Sequence, residues 1–268
     1  MSIKLIAADL DGTLLTSERK LSPDLFPLIG ELRGRGIRFA PASGRQYYNL
    51  RELFAPIADE LLYISENGAM VCDGAELLSF EAMPPDEVVR AVVAARSIPK
   101  THAILACREG GYYENRTDTV FLENMSYYYA RRHYTDDLLA VARSQPVCKV
   151  ALFCSRSAER VLMPAFRPFA QTSQVALSGE DWIDLMRPGM NKGLAVRIIC
   201  GRLGIAPDEC MAFGDYLNDL ELLQAVGESY AMANGHEALR SAAKHICPSN
   251  DDDGVCRTIR RTLGIDKT

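Results

Sequence analysis

The chain has 268 residues, of which 48% are hydrophobic and 24% are charged, values that are ordinary for a globular protein of one or two domains. The formal net charge of −5 gives no reason to expect a nucleic acid as a partner. An anionic small molecule would instead need a local cluster of positive groups.

The N-terminal segment and the cysteines favour the cytoplasm as the compartment of this protein. Acidic residues interrupt the apolar run in MSIKLIAADLDGTLL, no cleavage site follows it, and no apolar run elsewhere is long enough to span a bilayer. The eight cysteines form no CxxC pair, and together with the four histidines they lack the clustered spacing of a structural zinc site. We therefore expect a cytoplasmic protein with reduced, mostly buried thiols and no membrane partner.

Strands and helices alternate in the first and last parts of the chain. The apolar run at 3–8 predicts a buried strand, helical spacing follows at 23–34, and further strands are predicted at 37–42 and 61–65. The pattern resumes with a predicted helix at 194–204. Alternation of this kind with short glycine turns predicts a parallel α/β sheet whose ligands lie at the carboxyl ends of the strands.

The middle of the chain has a different pattern. Helices are predicted at 86–96, 119–132 and 158–168, and a hairpin is predicted with Gly110 and Gly111 in its turn. This stretch of roughly a hundred residues can hold its own core, and we interpret it as an α+β domain inserted into the α/β domain. The predicted boundaries are 1–82 and 188–268 for the α/β domain and 83–187 for the insertion.

The first candidate functional residues follow the first predicted strand. Asp9 and Asp11 leave the strand at positions i and i+2, so both side chains face the same way. Their charges repel unless a cation or a shifted pKa compensates. Gly12 lets the chain turn tightly beside a bound group. A surface Asp-Gly turn is the alternative interpretation of this segment by itself.

A second acidic segment follows the strand predicted to start at Glu209. Asp215 leaves this strand as Asp9 leaves the first, and Asn218 and Asp219 come at the start of a helix. Three acids on two adjacent strand ends suit a hard divalent cation, for which magnesium is the natural choice. The alternative is a helix capped by Asp215 with solvated neighbours.

Two further residues could bind an anion. Ser43 ends another predicted strand, where a hydroxyl and nearby amides at a helix N-terminus bind phosphate oxygens, although a plain N-cap serine fits equally well. Lys192 lies where the α/β pattern resumes and could neutralise charge there as a point charge. Taken alone, it is more typical of an exposed surface lysine.

Together, these four segments resemble the four motifs of the haloacid dehalogenase (HAD) superfamily. The family's DxDGT motif matches Asp9–Thr13, its hydrophobic strand ending in Ser or Thr matches Ser43, its lysine before a helix matches Lys192, and its GDxxND motif matches Gly214–Asp219. The order and spacing of the motifs also agree. The resemblance implies a Rossmann-like parallel-sheet core.

Two more segments resemble the Cof-type branch of this superfamily. They are Ala42–Arg45 and Glu66–Ala69. This branch carries a large α+β cap of the C2 (IIB) type between the second and third motifs, which is the position of residues 83–187. The resemblance therefore implies that the inserted domain is such a cap.

The resemblance also implies a magnesium-dependent phosphatase that hydrolyses small-molecule phosphate monoesters, such as sugar phosphates, through an aspartyl-phosphate. Asp9 would be the nucleophile, and Asp11 would be the general acid and base. Magnesium would be held by Asp9, the backbone carbonyl of Asp11, and Asp215. The phosphoryl oxygens would be bound by the catalytic Lys192 and by Leu10 (backbone), Ser43, Gly44 and Asn218. Supporting roles would fall to Thr13, Arg45, Asn67 and Asp219.

Two alternatives keep the same fold. A phosphomutase would transfer the phosphoryl group to a second sugar hydroxyl rather than to water. Asp11 is compatible with a phosphatase and with a phosphomutase. Dehalogenases lack this acid, and P-type ATPases carry threonine at that position. A non-catalytic sensor that kept the fold is the other alternative, because fold alone never guarantees function. The sequence indicates no oligomeric state.

Overall fold

Residues 3–266 are described by a computed structural model, in which strands and helices alternate along the chain. The strands are β1 (Leu5–Asp9), β2 (Arg38–Ala42), β3 (Leu62–Ser65), β4 (Met70–Asp73), β5 (Glu76–Phe80), β6 (Thr101–Cys107), β7 (Gly110–Tyr113), β8 (Arg132–Tyr134), β9 (Val147–Cys154), β10 (Gln174–Leu177), β11 (Trp182–Met186), β12 (Cys210–Gly214), β13 (Glu228–Met232) and β14 (His245–Cys247). The α-helices are α1 (Leu25–Gly34), α2 (Tyr47–Leu53), α3 (Pro85–Arg96), α4 (Thr119–Tyr128), α5 (Leu138–Ser144), α6 (Met163–Phe166), α7 (Lys192–Leu203), α8 (Leu220–Gln224), α9 (Glu237–Ala242) and α10 (Gly254–Leu263).

The chain divides into two compact units. The first contains the chain up to Ser43, residues Pro56–Leu78 and the chain from Asn191, and the second contains Gly44–Ala55 and Ser79–Met190. The boundaries drawn from the sequence stay a prediction. The compact units differ from them most in residues 44–55, which group with the inserted segment.

The sheet of the first unit has the strand order β14-β13-β12-β1-β2-β3-β4-β5. The strands from β14 to β3 run parallel, and β4 pairs with β3 in the antiparallel direction. Every residue of β1 is buried, as is typical of a parallel strand covered on both faces. Because parallel strands end at one edge, the residues at the carboxyl ends of β1, β2 and β12 lie side by side. The predicted α/β fold with a parallel-sheet core is confirmed.

The second unit is built on a six-stranded sheet in the order β10-β11-β9-β6-β7-β8. Its strands pair antiparallel except for β7 and β8, which pair in parallel. One face of this sheet forms an apolar core with α3 and α5. Side chains from the two layers meet there, among them Val88, Val92, Leu105, Leu138, Val150, Leu152 and Leu185.

Three local predictions for the second unit are wrong. The helix predicted at 119–132 ends at Tyr128, because Arg132–Tyr134 extends to pair with β7. The predicted hairpin is present, because β6 and β7 pair antiparallel, but Gly110 and Gly111 are strand residues and the turn lies at 108–109. A Cβ at Gly111 would come within 2.7 Å of the Tyr129 ring, so this glycine is needed for packing rather than for a turn.

The helix predicted at 158–168 is broken into short pieces. A π-helical turn covers Ala158–Leu162, α6 follows, and a 3₁₀ turn covers Arg167–Gln171. Pro164 and Pro168 lie in this stretch, and neither has an N–H group with which to continue a helical ladder.

All eight cysteines lie within the described residues, where they are buried with free thiols, as the sequence analysis expects. Between residues 3 and 266, none of the helices is long and apolar enough to cross a bilayer.

Two glycines of α7 offer a matched test of the packing in the first unit. A Cβ at Gly193 would overlap the backbone carbonyl of Glu221, whereas a Cβ at Gly201 would meet no atom within 4 Å. We expect Gly193→Ala to lower the free energy of unfolding by about 1–3 kcal/mol because of overpacking. Gly201→Ala should leave it unchanged or raise it by up to about 1 kcal/mol because alanine is the better helix former. Urea unfolding of both variants tests this, and equal effects at the two positions would contradict it.

Candidate active site

An ion pair between Asp9 and Lys192 forms the centre of the candidate site. Asp9 is the last residue of β1 and is 6% exposed, while Lys192 begins α7 and is 1% exposed. The Lys192 ammonium donates a hydrogen bond to Asp9 Oδ1. The side chain of Asn191, directly before it, accepts from the N–H of Leu194 and caps the helix. The lysine is therefore a buried partner of the first acidic motif and not a surface residue.

Asp219 holds Lys192 from the other side. Its Oδ1 accepts from Lys192 Nζ at 2.6 Å, and its Oδ2 accepts from the backbone N–H groups of Asp215 and Tyr216 at 3.1 and 3.3 Å. Asp219 is fully buried. Both of its carboxylate oxygens are thus engaged, which fixes the lysine and the turn after β12 together.

Asp215 lies beside the loop that follows β1. Thr13 Oγ1 donates to Asp215 Oδ1 at 3.2 Å. Gly12 has a φ of +82°, and a Cβ there would lie 2.8 Å from Asp215 Cγ. The sequence analysis assigned Gly12 to a tight turn, and the structure adds that the absence of a side chain makes room for the Asp215 carboxylate.

The electrostatics of this cluster disfavour its full ionisation. Burial and then the charge of Asp219 raise the pKa of Asp9 well above its usual range, although Lys192 opposes the shift. Burial and then Asp219 also raise the pKa of Asp215 to about 6. The pKa of Lys192 is raised because Asp219 and Asp9 together outweigh its desolvation. The lysine therefore stays charged, and it offsets only part of the negative charge around it.

The same carboxylates could hold a metal ion. Asp9, Asp215 and Asp219 each offer an oxygen, and these oxygens lie within 4.8 Å of one another. The donor set fits a hard divalent cation because it consists of oxygens only and carries surplus negative charge. Asp219 joins this cluster by proximity, but both of its oxygens are already engaged by Lys192 and by backbone N–H groups. The ligand role predicted for the backbone carbonyl of Asp11 stays a prediction.

The candidate residues after β2 and β3 lie on adjoining backbone. The N–H of Ser43 donates to the carbonyl of Ile64 at 2.8 Å, and the N–H of Asn67 donates to the carbonyl of Ser43 at 3.0 Å. Ser43 is buried, and Asn67 lies in the left-handed region with a φ of 54°. These bonds fix the backbone on which the Ser43 hydroxyl is carried.

Other predicted residues differ in exposure and location. Leu10 is buried, and its carbonyl accepts from the N–H of Leu15 at 2.8 Å. Asp11 and Asn218 are exposed. Gly44 and Arg45 belong to the second compact unit, where the Arg45 guanidinium stacks 4.6 Å above the Tyr127 ring and donates to its hydroxyl at 2.6 Å.

The sequence analysis missed residues that support the acidic loops. Asn234 Nδ2 donates to the carbonyl of Gly12 at 2.9 Å, and the N–H of His236 donates to the carbonyl of Asp215 at 2.7 Å. Gly235 lies so close to Asp215 that a Cβ would come within 2.8 Å of its carbonyl oxygen. The Asn234-Gly235 pair after β13 is a turn signal that could have been recognised.

Comparisons with known proteins show the family and the fold of this chain. The sequence model of the haloacid dehalogenase-like hydrolases matches residues 6–259. The chain is 31% identical over 266 residues to 5-amino-6-(5-phospho-D-ribitylamino)uracil phosphatase YbjI of Escherichia coli (strain K12), covering 98% of this chain and 97% of that protein. It is 29% identical over 249 residues to HMP-PP phosphatase of Cronobacter sakazakii, covering 91% of this chain and 89% of that protein. The solved structure of a HAD subclass IIB sugar phosphatase shares the fold, with a TM-score of 0.82 at 20% identity over 98% of this chain and all of that chain.

The chain therefore belongs to the haloacid dehalogenase-like hydrolase family. Within this family it is a Cof-type enzyme with the subclass IIB fold, and it is a phosphatase. The resemblance stated from the sequence motifs is thereby confirmed.

The raised pKa values of Asp9 and Asp215 predict that any stabilisation by a metal ion depends on pH. A carboxyl whose pKa is higher in the folded chain stabilises the fold at low pH, and that contribution is lost as the pH rises through the folded-state value. For Asp215 the window runs from about 4, its ordinary value, to about 6 in the folded chain, and Asp9 acts in the same direction. We expect saturating magnesium to raise Tm by about 5 °C or more at pH 8 and by clearly less at pH 5.

Thermal unfolding with and without magnesium at the two pH values checks this expectation. Asp215→Asn should remove most of the difference between pH 8 and pH 5 in the rise of Tm with magnesium. Asp208 is an exposed aspartate of the same unit, and Asp208→Asn should keep this difference. A rise of Tm with magnesium that is equal at both pH values would contradict the assignment of Asp9 and Asp215 as metal ligands.

Proposed function

We propose that this enzyme is a magnesium-dependent phosphatase that hydrolyses small phosphate monoesters through a phosphorylated Asp9. The observation that carries the proposal is the buried Asp9–Lys192–Asp219 arrangement beside Asp215. It holds the Asp9 carboxylate at a strand end, with the positively charged Lys192 hydrogen-bonded to one of its oxygens. Positioning and charge neutralisation of this kind are most of what phosphoryl transfer needs.

In the first step, an Asp9 carboxylate oxygen attacks phosphorus and forms a P–O bond while the bond to the leaving alcohol breaks. Asp11 donates its proton to the departing oxygen. Asp11 suits this role because it is exposed and only two residues from Asp9, so its side chain can reach an entering ligand. In the second step, Asp11 takes a proton from water, the water oxygen attacks phosphorus, and the Asp9 carboxylate is released.

Asp9 must be ionised in order to attack. Burial and the neighbouring carboxylates oppose this, because they raise its pKa. Lys192 lowers the cost through its hydrogen bond to Asp9, and Asp219 keeps the lysine in place. A magnesium ion held by Asp9, Asp215 and the Asp11 carbonyl would supply the remaining positive charge for the carboxylates and the phosphoryl oxygens.

The phosphoryl oxygens need donors as well as charge. We assign this role to Lys192, the Ser43 hydroxyl, Asn218 and the backbone of Leu10 and Gly44. Ser43 and Leu10 sit on backbone that is held by hydrogen bonds within the first unit, so they can act without reorganisation. Thr13 supports Asp215 directly, whereas Arg45 and Asn67 are assigned to the substrate side of the site.

The names of the relatives support a substrate class. Two of them are phosphatases of 5-amino-6-(5-phospho-D-ribitylamino)uracil and of HMP-PP, and a neighbour in fold is a sugar phosphatase. We therefore propose a small phosphorylated metabolite as the substrate. A panel of sugar phosphates, nucleotides and the two named compounds, assayed for phosphate release with magnesium, would identify it. A phosphomutase would instead need an acceptor sugar for turnover.

Asp9→Asn tests the nucleophile. We expect kcat to fall by at least about a thousandfold because the amide cannot form the phosphorylated intermediate. The metal-free variant should be at least as stable as the wild type, since the substitution removes a carboxylate that is repelled by Asp219 and Asp215. Both are measured with p-nitrophenyl phosphate and by thermal unfolding, with Asp208→Asn as the control. Ordinary turnover by folded Asp9→Asn protein would rule out the covalent route.

Removal of the metal tests the cofactor. We expect EDTA to abolish turnover and added magnesium to restore it, because Asp9 and Asp215 need a compensating cation to be ionised together. The measurement is phosphate release after chelation and after titration with magnesium. Full turnover in metal-free buffer would refute the magnesium dependence.

A further inference from the structure

A buried ion pair in the second unit is not explained by the chemistry proposed above. Lys149 Nζ lies 3.6 Å from Asp184 Oδ2, and both residues are 3% exposed. Lys149 pairs with Met186 and Asp184 pairs with Ala151 across β9 and β11, so the two charged side chains are diagonal neighbours on one face of the sheet. A buried pair of this kind contributes little net stability, because desolvation offsets the attraction.

Lys149 has a further contact, which links it to the phosphate-binding motif. Its ammonium donates a hydrogen bond to the backbone carbonyl of Gly44 at 2.8 Å. Gly44 directly follows Ser43 and is itself assigned to the phosphoryl oxygens. Because glycine has the fewest backbone restrictions of any residue, a charge-assisted bond to its carbonyl restricts the Gly44–Arg45 peptide.

The residues after Gly44 form hydrogen bonds within the second unit. The side-chain amide of Gln46 donates to the carbonyl of Arg131 and accepts from its N–H, both at 2.9 Å, and Gln46 is 3% exposed. Asn49 Nδ2 donates to the carbonyl of Tyr127 at 3.1 Å. The segment from Gly44 to Asn49 is therefore held by side chains that bind backbone groups.

The residue before Gly44 is held by different bonds. Ser43 is bonded to the backbone of Ile64 and Asn67, within the first unit. The Ser43–Gly44 peptide is thus the point at which two sets of hydrogen bonds meet along the chain. Its geometry depends on both sets, and Lys149 supplies the bond nearest to it on the Gly44 side.

We propose that Lys149, paired with Asp184, is a positioning residue. It fixes the Gly44 carbonyl, and with it the Gly44–Arg45 peptide, and thereby orients the donors of Ser43 and Gly44 towards the transferring phosphoryl group. This inference rests on the proposed function, in which those donors bind phosphoryl oxygens. The lysine acts through the backbone and does not touch the substrate. Asp184 lies beside the ammonium, and burial raises the pKa of its carboxyl.

Two variants that differ only at residue 149 test the role of Lys149. They are Asp184→Asn, which keeps the ammonium group and its bond to Gly44, and Lys149→Met with Asp184→Asn, which removes the bond without leaving a buried carboxylate unpaired. Orthovanadate mimics the transferring phosphoryl group, and its inhibition constant does not depend on the fraction of active protein. For the double variant we expect this constant to rise about tenfold or more and kcat for p-nitrophenyl phosphate to fall by a similar factor, while KM changes by less than about threefold.

Asp184→Asn should stay within about threefold of the wild type in all three quantities. Arg96→Met serves as a control, because it breaks the exposed Arg96–Glu114 pair of the same unit and should change none of them. Unchanged vanadate inhibition in the double variant would overturn the proposal. If the double variant fails to fold, Gln46→Leu removes the neighbouring attachment and should raise the vanadate constant in the same direction. An unchanged constant there would overturn the proposal equally.

The outcomes separate this inference from the proposed function. A wild-type enzyme that releases no phosphate from the panel would refute the proposed function and with it the catalytic role of Lys149. An active wild type whose double variant behaves identically would refute the positioning role alone.

Discussion

The ammonium group of Lys192 lies between two buried carboxylates, those of Asp9 and Asp219, and the rest of the site depends on it. Without this charge, Asp9, Asp215 and Asp219 would repel one another at the edge of the sheet. Lys192 compensates only in part, because burial and then the charge of Asp219 still raise the pKa values of Asp9 and Asp215. Carboxylates thus outnumber the one ammonium group in this cluster, and this charge imbalance is one that a divalent cation could offset.

The parallel sheet makes such a cluster possible. Adjacent strand ends bring together residues that are far apart in sequence, and close backbone approaches then set their spacing. A Cβ at Gly12 or Gly214 would overlap Asp215 or Asp219, so small residues stand where the acidic loops converge. The backbone N–H groups of Asp215 and Tyr216 engage one oxygen of Asp219 and leave the other for Lys192. The same few atoms therefore serve the fold and the proposed chemistry.

The sequence predicted the strand ends well, because the apolar runs before Asp9, Ser43 and Asp215 are short and clearly bounded. It could not predict from Lys192 alone that this lysine is buried, since burial depends on partners at residues 9 and 219. The helix at 119–132 was predicted too long because the pairing of residues 132–134 with β7 is a tertiary effect that local propensity does not contain. The sequence did not predict a role for Lys149, because one lysine in an apolar strand has no motif around it.

The attachment of residues 44–55 to the second unit has a consequence for protein engineering. A chimera that exchanges only residues 83–187 with a relative would pair Gln46 and Asn49 of this chain with a foreign backbone at positions 131 and 127. The compact unit is discontinuous, since it includes the short helix after Ser43 as well as most of the inserted domain. Exchange of both pieces together would keep these side chains with the backbone that they bind.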